Sequence, residues 1–119
     1  MATTNYGAAP TYVKIASQTS SGSSDTITFS NIPQNFTDLV LVSSILGTSN
    51  DRGVFLRFNS DTGSNYSATS IQADGSRNSS GRESSQTWLR ILGYYFGVST
   101  STNYSMNITN IMNYSNSTA

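Results

Sequence analysis

The chain has 119 residues and a mass of 12.8 kDa, enough for one domain with its own core. It has no cysteine and no histidine, and six Lys and Arg balance six Asp and Glu to a net charge of zero. This composition excludes a disulfide framework, thiol or zinc-knuckle chemistry and a histidine general base, and it leaves no basic stripe for nucleic acid.

Ser, Thr and Asn supply 50 of the 119 residues, while charged residues supply 10%. Those side chains compete for backbone hydrogen bonds and so disfavour helix interiors. Seven Tyr, five Phe and one Trp give more aromatic content than disordered chains usually carry, and with Thr they suit half-buried strands.

Along the chain, residues 1–10 (MATTNYGAAP) lack the basic-then-apolar order of a secretory signal. They read as an N-terminal arm before a domain over 11–119, with cytoplasmic synthesis and assembly the expectation. TYVKIAS (11–17) is the first strand candidate, followed by the loop QTSSGSSD (18–25). TITFSNI (26–32) alternates Ile27 and Phe29 with polar neighbours until Pro33 stops it. TDLVLVSSILGT (37–48) opens apolar on both parities, as a strand central to a sheet does. Its apolar stretch is broken by two serines and is well short of the about 20 residues needed to span a bilayer, so no membrane insertion is expected.

After a turn at SNDRG (49–53), the strand candidates GVFLRFN (53–59) and NYSATSIQAD (65–74) flank a polar stretch. GSRNSSGRESSQ (75–86) reads as a long polar loop, and TWLRILGYYFGV (87–98) and YSMNITNIMNYS (104–115) complete the set. Seven short candidates at near-regular spacing, with no apolar stripe of period 3.6, predict an all-β antiparallel sandwich of jelly-roll type.

Period-two alternation assigns faces. Val54, Leu56 and Phe58 share one side of their strand, as Leu89 and Ile91 do of theirs. Arginine is rarely buried unpaired, so these five are predicted core. Phe55 with Arg57, and Trp88 with Arg90, then look outward, and Tyr94 and Tyr95 follow on the same strand. Aromatics and Arg are enriched at interface centres, and Trp and Tyr also stack on sugars. Phe55, Arg57, Trp88, Arg90, Tyr94 and Tyr95 are therefore candidate interface or ligand-binding residues. Packing under a second layer is the plainer alternative.

The stretch RFNSDTGSNYSAT (57–69) places Asn59, Asp61, Gly63 and Asn65 at alternate positions, the spacing of oxygen ligands in a calcium loop. Asp61 is the only carboxylate between Asp51 and Asp74, whereas a polar turn needs just what NSDTGSN supplies. The turn is the reading adopted, and no metal or cofactor is expected. With Lys14 the sole lysine, no nucleophilic serine has an evident base. Most of the six carboxylates sit in turn-like contexts and none lies mid-strand in an apolar frame, so a paired-carboxylate glycosidase is disfavoured and no catalytic residue is assigned. Seven Asn-X-Ser/Thr triplets follow from the composition and carry no argument for glycosylation.

The segments ITFSNIPQNFTDLVLV (27–42), LRFNSDTGSNYSAT (56–69), QTWLRI (86–91) and NITNIMNYSNST (107–118) resemble a β-sandwich module. This module occurs in tail-fibre-type and head-surface structural proteins of tailed bacteriophages, especially marine and cyanobacterial phages. The resemblance spans 11–118, with RFNSDTGSNYS and IPQNFTDLVLV its most specific parts. It implies a non-enzymatic virion protein, assembled with other virion proteins and with copies of itself, a trimer favoured. A module gripping host-surface polysaccharide through Trp88, Tyr94 and Tyr95 is the competing implication. Similar proteins continue past the NYSNST element into further strands with an aromatic–Arg–Ser step. The expectation is therefore an open strand edge completed by a neighbouring chain or by a longer fibre.

Overall fold

The computed structural model describes residues 11–20, 26–46, 53–92 and 104–115. They form six strands: β1 (Leu39–Ile45), β2 (Val54–Leu56), β3 (Tyr66–Ala73), β4 (Asn78–Gln86), β5 (Leu89–Leu92) and β6 (Ser105–Ile111). No helix occurs among the described residues, and the fold is all-β and antiparallel. Pairing is concentric. β3 pairs with β4, β2 with β5 outside them, and β1 with β6 outside those, giving three two-stranded ribbons.

The innermost hairpin is set by its turn. Gly75 sits at the first of two central positions with φ 87°, a conformation open to glycine at little cost, as a type II′ hairpin turn requires. The Asp74 amide donates to the Arg77 carbonyl (3.1 Å), and Asp74 Oδ1 accepts from the amides of Ser76 (2.9 Å) and Arg77 (2.7 Å). Register then runs from Ala73 opposite Asn78 to Tyr66 opposite Gln86, with an irregularity between Tyr66 and Ala68. Ser85, at φ 54°, lies across from this step.

This corrects the expectation of a polar loop over 75–86, most of which is β4. The strand carries no large apolar side chain. It exists because β3 offers it a ladder and the turn fixes the register.

The stretch at 57–69 forms a turn. The Asp61 amide donates to the Phe58 carbonyl (2.8 Å) across Asn59 (φ 51°) and Ser60 (φ 58°), the paired positive angles of a type I′ turn. Asp61 Oδ1 accepts from the Gly63 amide (2.8 Å), and Asn65 Nδ2 donates to both carboxylate oxygens (3.1 and 3.0 Å). The Tyr66 hydroxyl accepts from the Phe58 amide (3.0 Å) and tethers the turn to β3. The alternation of polar residues is internal capping.

In β1 and β6, opposed residues share a face. Leu39 faces Ile111, Leu41 faces Thr109 and Ile45 faces Ser105 on the half-buried side. Val40 faces Asn110, Val42 faces Ile108 and Ser44 faces Met106 on the exposed side. The ribbon is closed at one end where Asp38 Oδ1 accepts from the Asn113 amide (2.7 Å) and the Thr37 carbonyl from the Tyr114 amide (2.8 Å). The Tyr114 hydroxyl donates toward the carbonyls of Ile32 (3.2 Å) and Pro33 (2.5 Å), pinning the preceding segment.

Residues 11–17 and 26–32, expected as strands, are not strands. Gln18 Nε2 donates to the Thr28 carbonyl (2.8 Å), but Tyr12, Val13, Ile15 and Ile27 remain exposed. Alternation marks a face that could be covered; without a ladder partner it makes no strand. The five residues predicted as core are half-buried, and no described side chain is fully buried.

Two predictions follow from the turns. Gly75→Ala meets no neighbouring atom, so it should destabilise through backbone strain alone, by about 1 kcal/mol in urea unfolding. Hydrogen bonds from Asn65 and the Gly63 amide lower the Asp61 pKa from its ordinary 3.8, and those from the Ser76 and Arg77 amides lower that of Asp74. Folded values below the unfolded ones place this stabilisation above the ordinary aspartate range. It is lost as pH falls through the lowered values. Melting temperature should therefore decline with acidification below 3.8, and less steeply in the Asp61→Ala, Asp74→Ala double variant.

Candidate functional site

Between β4 and β5 lie only Thr87 and Trp88, and across them the chain leaves the β3–β4 ribbon and joins β2. At this crossing the sequence places an aromatic and a cation two residues apart. Phe55 is opposed to Arg90 in the β2–β5 ladder, so their side chains share a face. The Phe55 and Trp88 rings are tilted by 57° with centroids 4.3 Å apart. The Arg90 guanidinium lies over both, 5.0 Å from the Phe55 centroid and 5.2 Å from that of Trp88. That geometry is favourable for a cation at a ring face.

Glu83 of β4 completes the group. Its Oε1 accepts from Arg90 Nε (2.9 Å) and lies 2.8 Å from Nη2, with the side chains 16% (Arg90) and 30% (Glu83) exposed. Partial shielding makes this pair stronger than an ordinary surface ion pair. It also joins the two ribbons through side chains.

Gly53 leaves the space the guanidinium occupies. A Cβ there would stand 2.7 Å from Arg90 Nη1 and 3.0 Å from Phe55 Cζ.

The structure thus brings together three of the six candidate residues, Phe55, Trp88 and Arg90. Arg57 lies apart, its Nε donating to the Thr87 carbonyl (3.0 Å), where it braces the crossing. Tyr94 and Tyr95 lie outside the described residues. Phe55 is exposed, as its outward assignment anticipates, whereas Trp88 and Arg90, also expected to look outward, are half-buried: Trp88 packs against Phe55 and Arg90, and Arg90 against both rings and Glu83.

Sequence reasoning missed two members, Gly53 and Glu83. Glu83 falls in a stretch whose composition reads as a polar loop, and only the β3–β4 register carries it to Arg90. Gly53 had a visible signal, a glycine directly before an alternating strand, where close approach by another group is common.

Chemically, the cluster is a planar cation lying over two adjoining aromatic rings with its counter-ion attached. Phe55 remains 47% exposed beside it. No group of three or more His, Cys, Asp or Glu able to hold a metal ion occurs among the described residues.

Glu83→Ala, which strips Arg90 of this carboxylate, should destabilise the fold by about 1–2 kcal/mol. Arg82→Ala, on the exposed side of the same strand, should stay within about 0.5 kcal/mol. Urea unfolding followed by fluorescence of Trp88, the sole tryptophan, reads both from inside the cluster. No protein-family model, curated protein or solved structure matches the chain in comparison with known proteins.

Proposed function

We propose that the chain is a non-enzymatic structural component of a bacteriophage particle, of tail-fibre or capsid-surface type, acting through assembly contacts. In this reading its ribbons belong to a jelly-roll-like sandwich, and it works in the virion as a homo-oligomer beside other virion proteins. The observation that carries the reading is the concentric pairing of β1 with β6, β2 with β5 and β3 with β4. That is the pairing of one long antiparallel hairpin rolled on itself, the layout of the jelly rolls that recur in viral capsid and lectin domains. A charge-poor surface with exposed apolar side chains on its ribbons suits a part that functions by being packed.

The second reading is a host-polysaccharide adhesin. It is favoured by the half-open Phe55–Trp88 pair with Arg90 above it, since aromatic faces are good platforms for sugar rings.

Gold-labelling of the protein on purified particles should decorate one fixed location, at constant copy number. A particle assembled without it and unlabelled would overturn the structural reading. Host-envelope polysaccharide should leave Trp88 emission unchanged if the cluster only packs. A saturable spectral shift, lost on Phe55→Ala, would favour the adhesin.

A further inference from the structure

We infer that the exposed face of the β1–β6 ribbon is a self-association surface, covered by the same face of a second copy about a two-fold axis. The inference rests on the homo-oligomer reading above and deepens it by naming the surface.

Val40, Val42, Met106 and Ile108 share this face and are 39% to 70% exposed. Tyr104 and Met112, at 65% and 78%, adjoin β6 at its two ends. The opposite face of the same ribbon is half-buried, so the alternation that hides Leu41 and Ile45 leaves Val42 and Ile108 in solvent. A two-stranded ribbon with an apolar face uncovered is marginal on its own.

Three features point to a second copy as the occupant. First, neither β1 nor β6 contains a charged residue, so a copy of the face meets no like charge. Charge depletion is also the compositional mark of an interface centre. Second, six apolar side chains 39% to 78% exposed lie along one ribbon, an apolar patch of roughly the few hundred Å² that marks interaction sites and approaches the about 800 Å² per partner of a stable association. Third, the face is self-complementary. Val42 and Ile108 form a directly opposed apolar pair at its middle, with polar Ser44 and Asn110 towards opposite ends. An isologous contact stacks such a centre on itself, as two sheets stack about 10 Å apart in a sandwich. Met106 and Met112 add flexible side chains that adapt to a facing copy.

A two-fold contact builds dimers or even-numbered assemblies, in place of the trimer that the family resemblance favours. Sedimentation of the full chain across micromolar concentrations should give an even-numbered oligomer. Val42→Asp should raise its dissociation constant by about 30-fold or more.

Because Val42→Asp could unfold the chain, a second measurement stands beside it. The protein has no cysteine, so Ile108→Cys introduces a single thiol at the centre of the face. Mild oxidation should link it between chains. Ile71→Cys, on the β3–β4 hairpin and 87% exposed, should stay unlinked.

A wild-type monomer would overturn both this inference and the homo-oligomer reading. An oligomer that is odd-numbered, or that survives folded Val42→Asp and leaves Ile108→Cys unlinked, would overturn this surface alone.

Discussion

Register is the constraint on which the structure depends. In a chain where hydroxyl and amide side chains outnumber apolar ones, a one-residue slip in any ladder turns its few apolar residues to the wrong side. The slip is resisted at the innermost point, where Gly75 and the Asp74 carboxylate fix which residues of β3 and β4 oppose each other. That register carries Glu83 towards Arg90, and the Glu83–Arg90 pair then holds β5, and with it β2, beside the hairpin. Farther out, Asn107 Nδ2 donates to the Ile91 carbonyl (3.2 Å), tying β6 to β5. Side-chain polar contacts do between these ribbons much of what apolar burial does in an ordinary sandwich.

The same economy explains why the candidate site and the exposed apolar face of the β1–β6 ribbon are separate. At the crossing of Thr87 and Trp88, charge and aromatic rings meet and satisfy one another within the chain, so Arg90 needs no outside partner for its charge. The β1–β6 ribbon has the opposite character. It carries apolar side chains on both faces and can cover one of them from its own chain only in part. The first property holds the ribbons in shape; the second leaves apolar area that only a covering surface would remove from water.

Much of this was legible in the sequence wherever apolar residues alternate. The strands at 39–45, 54–56, 66–73, 89–92 and 105–111 all fall inside segments read as strands, and NSDTGSN was readable as a turn from its αL-tolerant residues. β4 was not legible because a strand made of Ser, Gly, Arg, Glu, Asn and Gln shows no hydrophobic period; its existence depends on the ladder that β3 offers across the hairpin turn. Residues 11–17 and 26–32 fail in the opposite sense, showing the period without acquiring a ladder. Parity places Phe55 beside Arg57 and Trp88 beside Arg90 on outward faces; Phe55 is exposed, but its opposition to Arg90 comes from the β2–β5 ladder and Arg90 is half-buried. Glu83 and Gly53 escape it, because parity within one strand says nothing of which other strand lies alongside.

The concentric pairing has a mechanical consequence. Leu39 and Ile111 are neighbours across one ladder, so the chain enters and leaves the β1–β6 ribbon at the same end. Tension between those two points would peel the ribbon apart rung by rung, like a zip, with each hydrogen-bonded pair loaded in turn. A load applied along the strands, from opposite ends, would instead be shared by all the rungs at once. A body with this wiring withstands force best when gripped by its flat surfaces or from one flank, and least when pulled between its two flanking segments.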